Sequence, residues 1–325
     1  MILIFTNKED SHPTPVINHL KEWGETFFRL NTECLLTDYV FEWWAEDFTT
    51  DFYIKNLVNG SEVYGHQITA VWDRRPAIPE KIYSTCSEEI KKYCLDEAHG
   101  FLSFLRYYLK DVFSIGSIVN DRFASSKMLQ MRFAMDSGFM VPRTVFSNRK
   151  NFVSKHLSGV NALSLKPIDI DSVFFEGNDY VFYVGKHKTA DVLAQPESAF
   201  SQTASFIQEY IEKQYELRVT VCCGDIVACR IDSQKQNSGE GKEDWRQGYD
   251  YNLEQTIVDI PQSVKSSCLT FLDKMNLNFG CFDLIVTPNN ECVFLECNPN
   301  GQWYWIEQET GCPISKIIAK HLCKK

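Results

Sequence analysis

The chain has 325 residues, 44 % of them hydrophobic, and a formal net charge of −10 from 33 basic and 43 acidic side chains. That is enough apolar material for a sizeable core divided into two or three units. The acidic balance argues against a general nucleic-acid binder, which carries the opposite sign, and no apolar run approaches the roughly 20 residues needed to cross a bilayer.

The opening Met1-Ile2-Leu3-Ile4-Phe5-Thr6 reads as a buried strand. It lacks the basic region and small-residue cleavage site of a signal peptide, so a cytoplasmic location is expected, with no nucleic-acid or membrane partner. The 12 cysteines include no C-x-x-C pair and fall largely inside strand-like runs, which predicts reduced, buried thiols. Thr14 as N-cap and Pro15 at the first helical position start a helix with Val16, Ile17, Leu20 and Trp23 as its apolar stripe and Gly24 as its end. A strand over 26–30 follows. Next comes a hairpin of 51–58 with 62–64 around Asn59-Gly60. Val71-Trp72 ends a further strand and delivers Asp73-Arg74-Arg75-Pro76 to its C-terminal edge, where ligands of open α/β sheets sit. A long helix runs over about 87–112.

The middle of the chain predicts a helix over 125–137 closed by Gly138, then strands over 144–146, 162–166 and 180–184. A helix over 198–210, strands over 216–223 and 226–233, a polar loop over 234–250 and a last helix over 314–322 complete the reading. Three units are expected, over 1–115, 116–197 and 198–325.

The most informative stretch is Phe282-Asp283-Leu284-Ile285-Val286, a Pro288-Asn289-Asn290 turn, and Val293-Phe294-Leu295-Glu296-Cys297-Asn298. Asp283 and Glu296 are equidistant from Asn289-Asn290, so a regular hairpin sets them opposite each other, and the period of two puts Asn298 on the face of Glu296. Two opposed carboxylates in an apolar sheet repel unless a cation lies between them. Hard oxygen ligands of this kind suit magnesium completed by water and phosphate. A polar hairpin edge facing solvent is the competing reading.

Other features converge on a nucleotide. Lys127 and Lys166 offer point charges for phosphates; Gln208-Glu209-Tyr210-Ile211 forms a chain reversal able to meet a flat base, and Glu216 follows within reach of a sugar. In this order the chain resembles the ATP-grasp ligases. More closely, it is similar to those that mature ribosomal peptides into graspetides, on the strength of Val71-Trp72-Asp73-Arg74-Arg75-Pro76, Glu216-Leu217-Arg218-Val219-Thr220-Val221, Ala228-Cys229-Arg230-Ile231-Asp232-Ser233-Gln234 and Asp244-Trp245-Arg246. Asn120 and Gly138-Phe139-Met140-Val141-Pro142-Arg143-Thr144 match as well.

The resemblance implies a mixed α/β and α+β ATP-grasp fold behind an N-terminal pre-ATP-grasp domain. It implies ATP and Mg2+, two ions, as cofactors, with Asp283, Glu296 and Asn298 as metal ligands. Lys127 and Lys166 would meet phosphates, Glu209, Tyr210 and Ile211 the base, and Glu216 the ribose. Arg218, Arg230 and Arg246 would steady the transferring phosphoryl group, although strand arginines read equally as structural ion pairs. Arg74, Arg75, Asp244 and Trp245 would bind a precursor peptide made of a leader and a core with Ser/Thr/Lys and Asp/Glu residues. A peptide carboxylate would become an acyl phosphate, from which a side-chain hydroxyl or amine of the same peptide displaces phosphate. One departure stands out: Lys166-Pro167 continues into Ile168-Asp169-Ile170-Asp171-Ser172 where many relatives carry a glycine-rich phosphate loop. Addition of amino acids to a peptide tail, joining of free amino acids, and a non-catalytic nucleotide-binding regulator stay open, as does a homodimer. His12, His66 and His187 carry no expected role.

Overall fold

The protein is described by a computed structural model covering all residues except 117–120, 169–171, 176–177, 203, 236–241, 246–252 and 324–325. The chain begins with β1 (Ile2–Thr6), α1 (Pro13–Glu22), β2 (Phe27–Asn31), α2 (Leu35–Asp38), β3 (Tyr39–Glu46), β4 (Thr49–Asn56), β5 (Glu62–Tyr64), β6 (Ala70–Asp73), α3 (Glu88–Tyr108) and β7 (Phe113–Ile115). Strands β2-β1-β6-β7 form a parallel sheet, and β3-β4-β5 a separate antiparallel one. Alternate residues of β1 enter two different cores. Ile2 and Ile4 face α1 and the C-terminal elements, while Leu3 and Phe5 face α3 and the β3–β5 sheet. Both faces of the parallel sheet are therefore covered, as its continuous apolar run requires.

Helix α1 starts two residues earlier than expected, because Pro13, not Pro15, takes the first turn behind His12. Proline's fixed φ suits either position. Trp23 is not part of the buried stripe: it is 41 % exposed and stacks on His19. Gly24 ends the helix as expected, at a φ of 71°.

The middle of the chain contains α4 (Asp121–Ser125), α5 (Lys127–Asp136), β8 (Thr144–Ser147), α6 (Lys150–Leu157), β9 (Ala162–Lys166), β10 (Ser172–Phe175), β11 (Asn178–Val181), β12 (His187–Lys188), α7 (Thr189–Ala194), α8 (Glu197–Ser201) and β13 (Ser205–Glu209). Two expectations are corrected here. The strand placed over 180–184 ends at Val181 and pairs with β10 in a ribbon of its own. The helix placed over 198–210 is the short α8 followed by β13, which lies between β9 and β8 in the order β12-β9-β13-β8. Phe206 and Ile207 are buried there against opposite faces, and pairing with two neighbours outweighs local helix propensity.

The last part holds β14 (Tyr215–Cys222), β15 (Asp225–Ile231), β16 (Gln255–Val258), α9 (Gln262–Lys274), β17 (Phe279–Val286), β18 (Cys292–Asn298), α10 (Tyr304–Thr310) and α11 (Ile314–Cys323). Its antiparallel sheet runs β16-β15-β14-β17-β18. One face buries Phe282, Leu284 and Phe294 against α5 and α9; Cys281, on the other face, joins a core shared with α1, α11 and the N-terminal sheet. All 12 cysteines are free, and Cys222, Cys229, Cys268, Cys281, Cys297 and Cys312 are buried. Among the described residues no helix is long and apolar enough to cross a membrane.

Candidate active site

Register places Asp283 opposite Glu296, as expected, but by a different route. The turn has three residues, with Thr287 N–H donating to Glu291 O and Asn290 at a φ of 62°. That loop sets Leu284 against Phe294, one step away from a two-residue turn, and a bulge between Asp283 and Leu284 restores the step. The extra residue is Leu295. Both Leu295 and Glu296 consequently turn toward one cavity, and Asn298 follows on the same face.

The cavity, of about 510 Å³, lies between the central sheet and the five-stranded sheet. It is lined by Lys127, Lys166, Gln208 to Ile211, Lys213, Glu216, Arg218, Asp244, Trp245, Asp283, Glu296 and Asn298, and also by Arg75 and Asn300 to Gln302. Elements from all three parts of the chain thus bring most of the expected residues together.

At the charged end, Asn298 Nδ2 donates to Asp283 Oδ2 at 3.3 Å and to Glu296 Oε1 at 3.5 Å. Arg218, its side chain 7 % exposed, pairs through Nη1 with Asp283 Oδ2 at 2.6 Å and donates from Nη2 to Gln302 O at 3.0 Å. The expectation that only a cation could relieve the opposed carboxylates is therefore corrected: Arg218 already offsets Asp283. Burial lowers the Arg218 pKa, but Asp283, Cys281 and Glu296 together outweigh it and hold the guanidinium firmly protonated. The donor set still fits a hard cation. An amide N–H group bridges the two carboxylates where a cation would sit, and turning that amide presents an oxygen instead. Among the described residues no three His, Cys, Asp or Glu side chains cluster as metal ligands, so further ligands would come from substrate.

Lys127 Nζ donates to Pro167 O at 2.6 Å, at the start of the segment whose residues 169–171 lie outside the described ones. Burial pushes the Lys166 ammonium below its ordinary pKa, Glu296 pulls it back and Lys127 pushes the same way as burial. Two lysines thus converge on one end of the cavity. At the other end, Glu209 N–H and Tyr210 N–H donate to Arg143 O at 2.8 Å and Ala162 O at 2.9 Å. Those two donors are spent, so contact with a flat ring would fall to the Ile211 N–H and to carbonyls and side chains of 208–211. Burial raises the Tyr210 phenol to about 12.

Glu216 is buried and ion-paired with Lys213, a partner that the sequence reading missed although it lies one helical turn's spacing before it. Burial raises its pKa, with Lys213 opposing. Its Oε2 is buried without a well-formed hydrogen bond, an acceptor that a sugar hydroxyl would complete.

Two expected residues, Arg74 and Arg230, are placed differently. Arg74 is 2 % exposed and turned away from the cavity, donating to Asn300 O and pairing with Asp10 at 3.1 Å. Of the two arginines only Arg75, at a φ of 51°, lines the cavity. Arg230 opposes Leu217 and so projects from the sheet face opposite Arg218, where it pairs with Asp232 at 2.7 Å and covers the Tyr215 ring at 4.0 Å. Asp244 Oδ2 accepts Val184 N–H at 3.1 Å, and Trp245 lies 5.0 Å from Trp305, so both line the cavity while bracing its wall. Arg246 and Asn120 lie outside the described residues. His12, assigned no role from sequence, is 7 % exposed and bonded to Asp10 and Trp303.

The MvdD pre-ATP grasp domain matches residues 1–122 and the RimK-like ATP-grasp domain residues 121–322. No curated protein matches the chain. Among solved structures, a RiPP-associated ATP-grasp ligase of Chryseobacterium gregarium, in complex with ADP and a leader and core peptide, is similar at 25 % identity and a TM-score of 0.90, over 99 % of this chain and 96 % of that one. The macrocyclase MdnC of Microcystis aeruginosa MRC, bound with precursor peptide MdnA, has 23 % identity and a TM-score of 0.86, over 100 % of this chain and 99 % of its own. The macrocyclase MdnB of the same organism has 24 % identity and a TM-score of 0.80 over the same shares. Two lysines facing two carboxylates across a cavity between two sheets, behind a parallel-sheet domain, are thus the parts of a known architecture, and the chain belongs to the RimK-like ATP-grasp ligase family, with an MvdD-type pre-ATP-grasp domain in front.

Proposed function

We propose that the chain is an ATP-dependent peptide macrocyclase that closes ω-ester or ω-amide links within a ribosomal precursor peptide. The observation that carries this reading is the cavity itself, with lysines and carboxylates gathered together and the exposed Arg75 also in its lining. The similar ligase that holds ADP with a leader and core peptide supports the choice of substrate. The ligase PsnB, whose structure holds Mg and ADP with a minimal precursor, supports the cofactors.

In this reading Lys127 and Lys166 hold the phosphates of ATP and cancel their charge as it spreads during transfer. Asp283, Glu296 and Asn298 hold magnesium, two ions, which when bound supply further charge neutralisation at the phosphates. Gln208 to Ile211 face the base, and the unsatisfied Glu216 Oε2 takes a ribose hydroxyl. Arg218 fixes Asp283 and stands at the transfer site; Arg230 is left out on geometric grounds. Arg75, Asp244 and Trp245 bear on the peptide. Attack of a peptide carboxylate on the terminal phosphorus of ATP gives an acyl phosphate with ADP as leaving group, and a Ser, Thr or Lys side chain of the same peptide then attacks the acyl carbon and displaces phosphate. The chain needs to position these groups and exclude water, with no covalent step of its own.

The three-part division expected from sequence belongs to this reading too, with the second boundary drawn after Glu209 because β13 pairs with β8 and β9. Twelve free cysteines support a cytoplasmic location, where thiols stay reduced. Mass spectrometry of a precursor peptide incubated with enzyme, ATP and magnesium tests the proposal. The expected result is stepwise loss of one water per link, dependent on both ATP and magnesium. A mass gain in the presence of free amino acids, without water loss, would instead establish an amino-acid-adding ligase.

A further inference from the structure

Strands β1, β6 and β7 are parallel and end at one edge of the N-terminal sheet. In open α/β sheets that edge is where ligands sit. Here it meets the chain's own loop after β18. Gly116, just past β7, has no side chain, and a Cβ there would collide with Asp73 O and lie 3.1 Å from Asn300 Oδ1. Arg74, just past β6, donates from Nη1 to Asn300 O and lies 3.5 Å from Gly301 O. Asp10, in the loop after β1, lies 3.1 Å from Arg74 Nε and 2.8 Å from His12 Nδ1.

His12 completes the connection. Trp303 N–H can only donate, and it does so to His12 Nε2 at 3.2 Å. The ring is therefore neutral, with its proton on Nδ1 toward Asp10. Trp303 is fully buried and meets the ring edge-on at 5.1 Å. From the other side, Arg218 takes Gln302 O at 3.0 Å while holding Asp283. The carbonyls of Asn300, Gly301 and Gln302 and the amide of Trp303 are thus all held, partly by the N-terminal domain and partly by the arginine that stands on a proposed metal ligand. Asn298 lies directly before this loop.

We infer that Asp10, His12 and Arg74 are positioning residues that set the 300–303 loop, and through it the Asn298 amide and the Arg218 guanidinium, so that the N-terminal domain governs the phosphate-and-cation end of the cavity. The inference rests on the proposed nucleotide site. It assigns Arg74 to the enzyme's own loop, not to a peptide.

Two His12 variants separate positioning from bulk structure. His12→Asn carries a donor where Nδ1 stands and keeps the Asp10 bond, but removes the acceptor for Trp303. His12→Gln carries an acceptor where Nε2 stands. The measurements are amide hydrogen exchange at Trp303, the affinities for magnesium-ADP and for adenosine, the melting temperature, and kcat and KM for peptide. In His12→Asn, Trp303 exchange is expected to accelerate at least about tenfold and magnesium-ADP affinity to fall about tenfold or more, the scale seen for groups that orient ligating side chains. Adenosine affinity and peptide KM stay near wild type, and kcat falls. His12→Gln recovers much of the lost affinity. Arg74→Lys, which keeps the charge but lacks the guanidinium's second arm, shifts the same readouts if His12→Asn does not fold. Wild-type magnesium-ADP affinity despite fast Trp303 exchange would overturn the inference, as would equal loss of adenosine and magnesium-ADP with a falling melting temperature. A wild-type chain that binds magnesium-ADP and shows these differences but processes no peptide would sink the macrocyclase reading alone.

Discussion

Arg218 and Arg230 come from neighbouring strands and end on opposite faces of one sheet. Their contributions should differ accordingly. Arg230→Ala removes a partly exposed pair with Asp232, which also holds Lys235, so a loss of about 0.5–1 kcal/mol in stability with unchanged kcat is expected. Arg218→Ala removes the ion pair of Asp283 and the donor to Gln302 O in a buried setting, where breaking one side of an ion pair costs about 3–5 kcal/mol. Turnover should collapse with it, and melting curves beside steady-state kinetics check both. Glu296→Gln keeps the shape of the site and removes one charge. Peptide processing should fall about a hundredfold or more with little change in melting temperature, since the charge matters most to the phosphoryl group in flight. Near-normal turnover would remove Glu296 from the proposed metal site. The face of Arg230 was legible in the sequence: any two-residue turn between these strands pairs even with odd residues, so the two even-numbered arginines cannot share a face.

The β17–β18 hairpin shows how an element can be read correctly for an incomplete reason. Counting outward from Asn289-Asn290 assumes a two-residue turn, whereas the real loop has three residues and the bulge at Leu295 compensates. Pairing of Asp283 with Glu296 emerges because the two departures cancel. Local propensity does not announce a bulge, which is set by what the strand must present on each face. The misplaced helix over 198–210 has a similar origin, since only the neighbouring strands β8 and β9 make Phe206-Ile207 a strand. The carboxylate pair was legible from its spacing about the turn, and Lys127 and Lys166 from the order of motifs along the chain. Arg74 was not, because the carbonyls it holds, at Asn300 and Gly301, lie at the other end of the chain. Gly301 carries a related constraint: a Cβ there would stand 2.7 Å from Cys281 Sγ and 2.9 Å from Arg218 Nη2. Gly301→Ala should therefore destabilise the protein by about 1–3 kcal/mol and lower turnover, as forced repacking generally does. Denaturant unfolding and kinetics together would reveal a loop that yields without cost, the outcome that contradicts this geometry.

Across the whole molecule, the joint between the N-terminal domain and the rest contains a histidine held neutral. Burial lowers the His12 pKa, Asp10 opposes this, and Arg74 and Arg75 add to the lowering. A group with a depressed folded pKa stabilises the protein above its unfolded value, near 6.5, and that contribution is lost as pH falls through the folded value. Glu216 has the opposite sign, its raised pKa favouring the folded state in acid and ceasing to do so as pH rises through it. Comparison with His12→Gln isolates the first effect. The stability advantage of the wild type should shrink as pH falls below about 6.5. An advantage that is flat with pH would show that His12 titrates alike in the folded and unfolded chain.

The cysteines give the protein a stopwatch of its own. Six thiols are enclosed around the C-terminal sheet and its flanks, while Cys34, Cys86, Cys94, Cys223, Cys292 and Cys323 are partly accessible. Burial also raises the Cys281 and Cys297 pKa values, so neither presents a thiolate until the sheet opens. A maleimide should accordingly consume the thiols in two phases, a fast one from the accessible set and a slow one whose rate is the opening rate of the sheet. Because Cys281 and Cys297 belong to the two strands that carry Asp283 and Glu296, magnesium-ADP should lengthen the slow phase alone. The nucleotide's grip could then be timed on the unlabelled wild-type chain, without a substrate peptide.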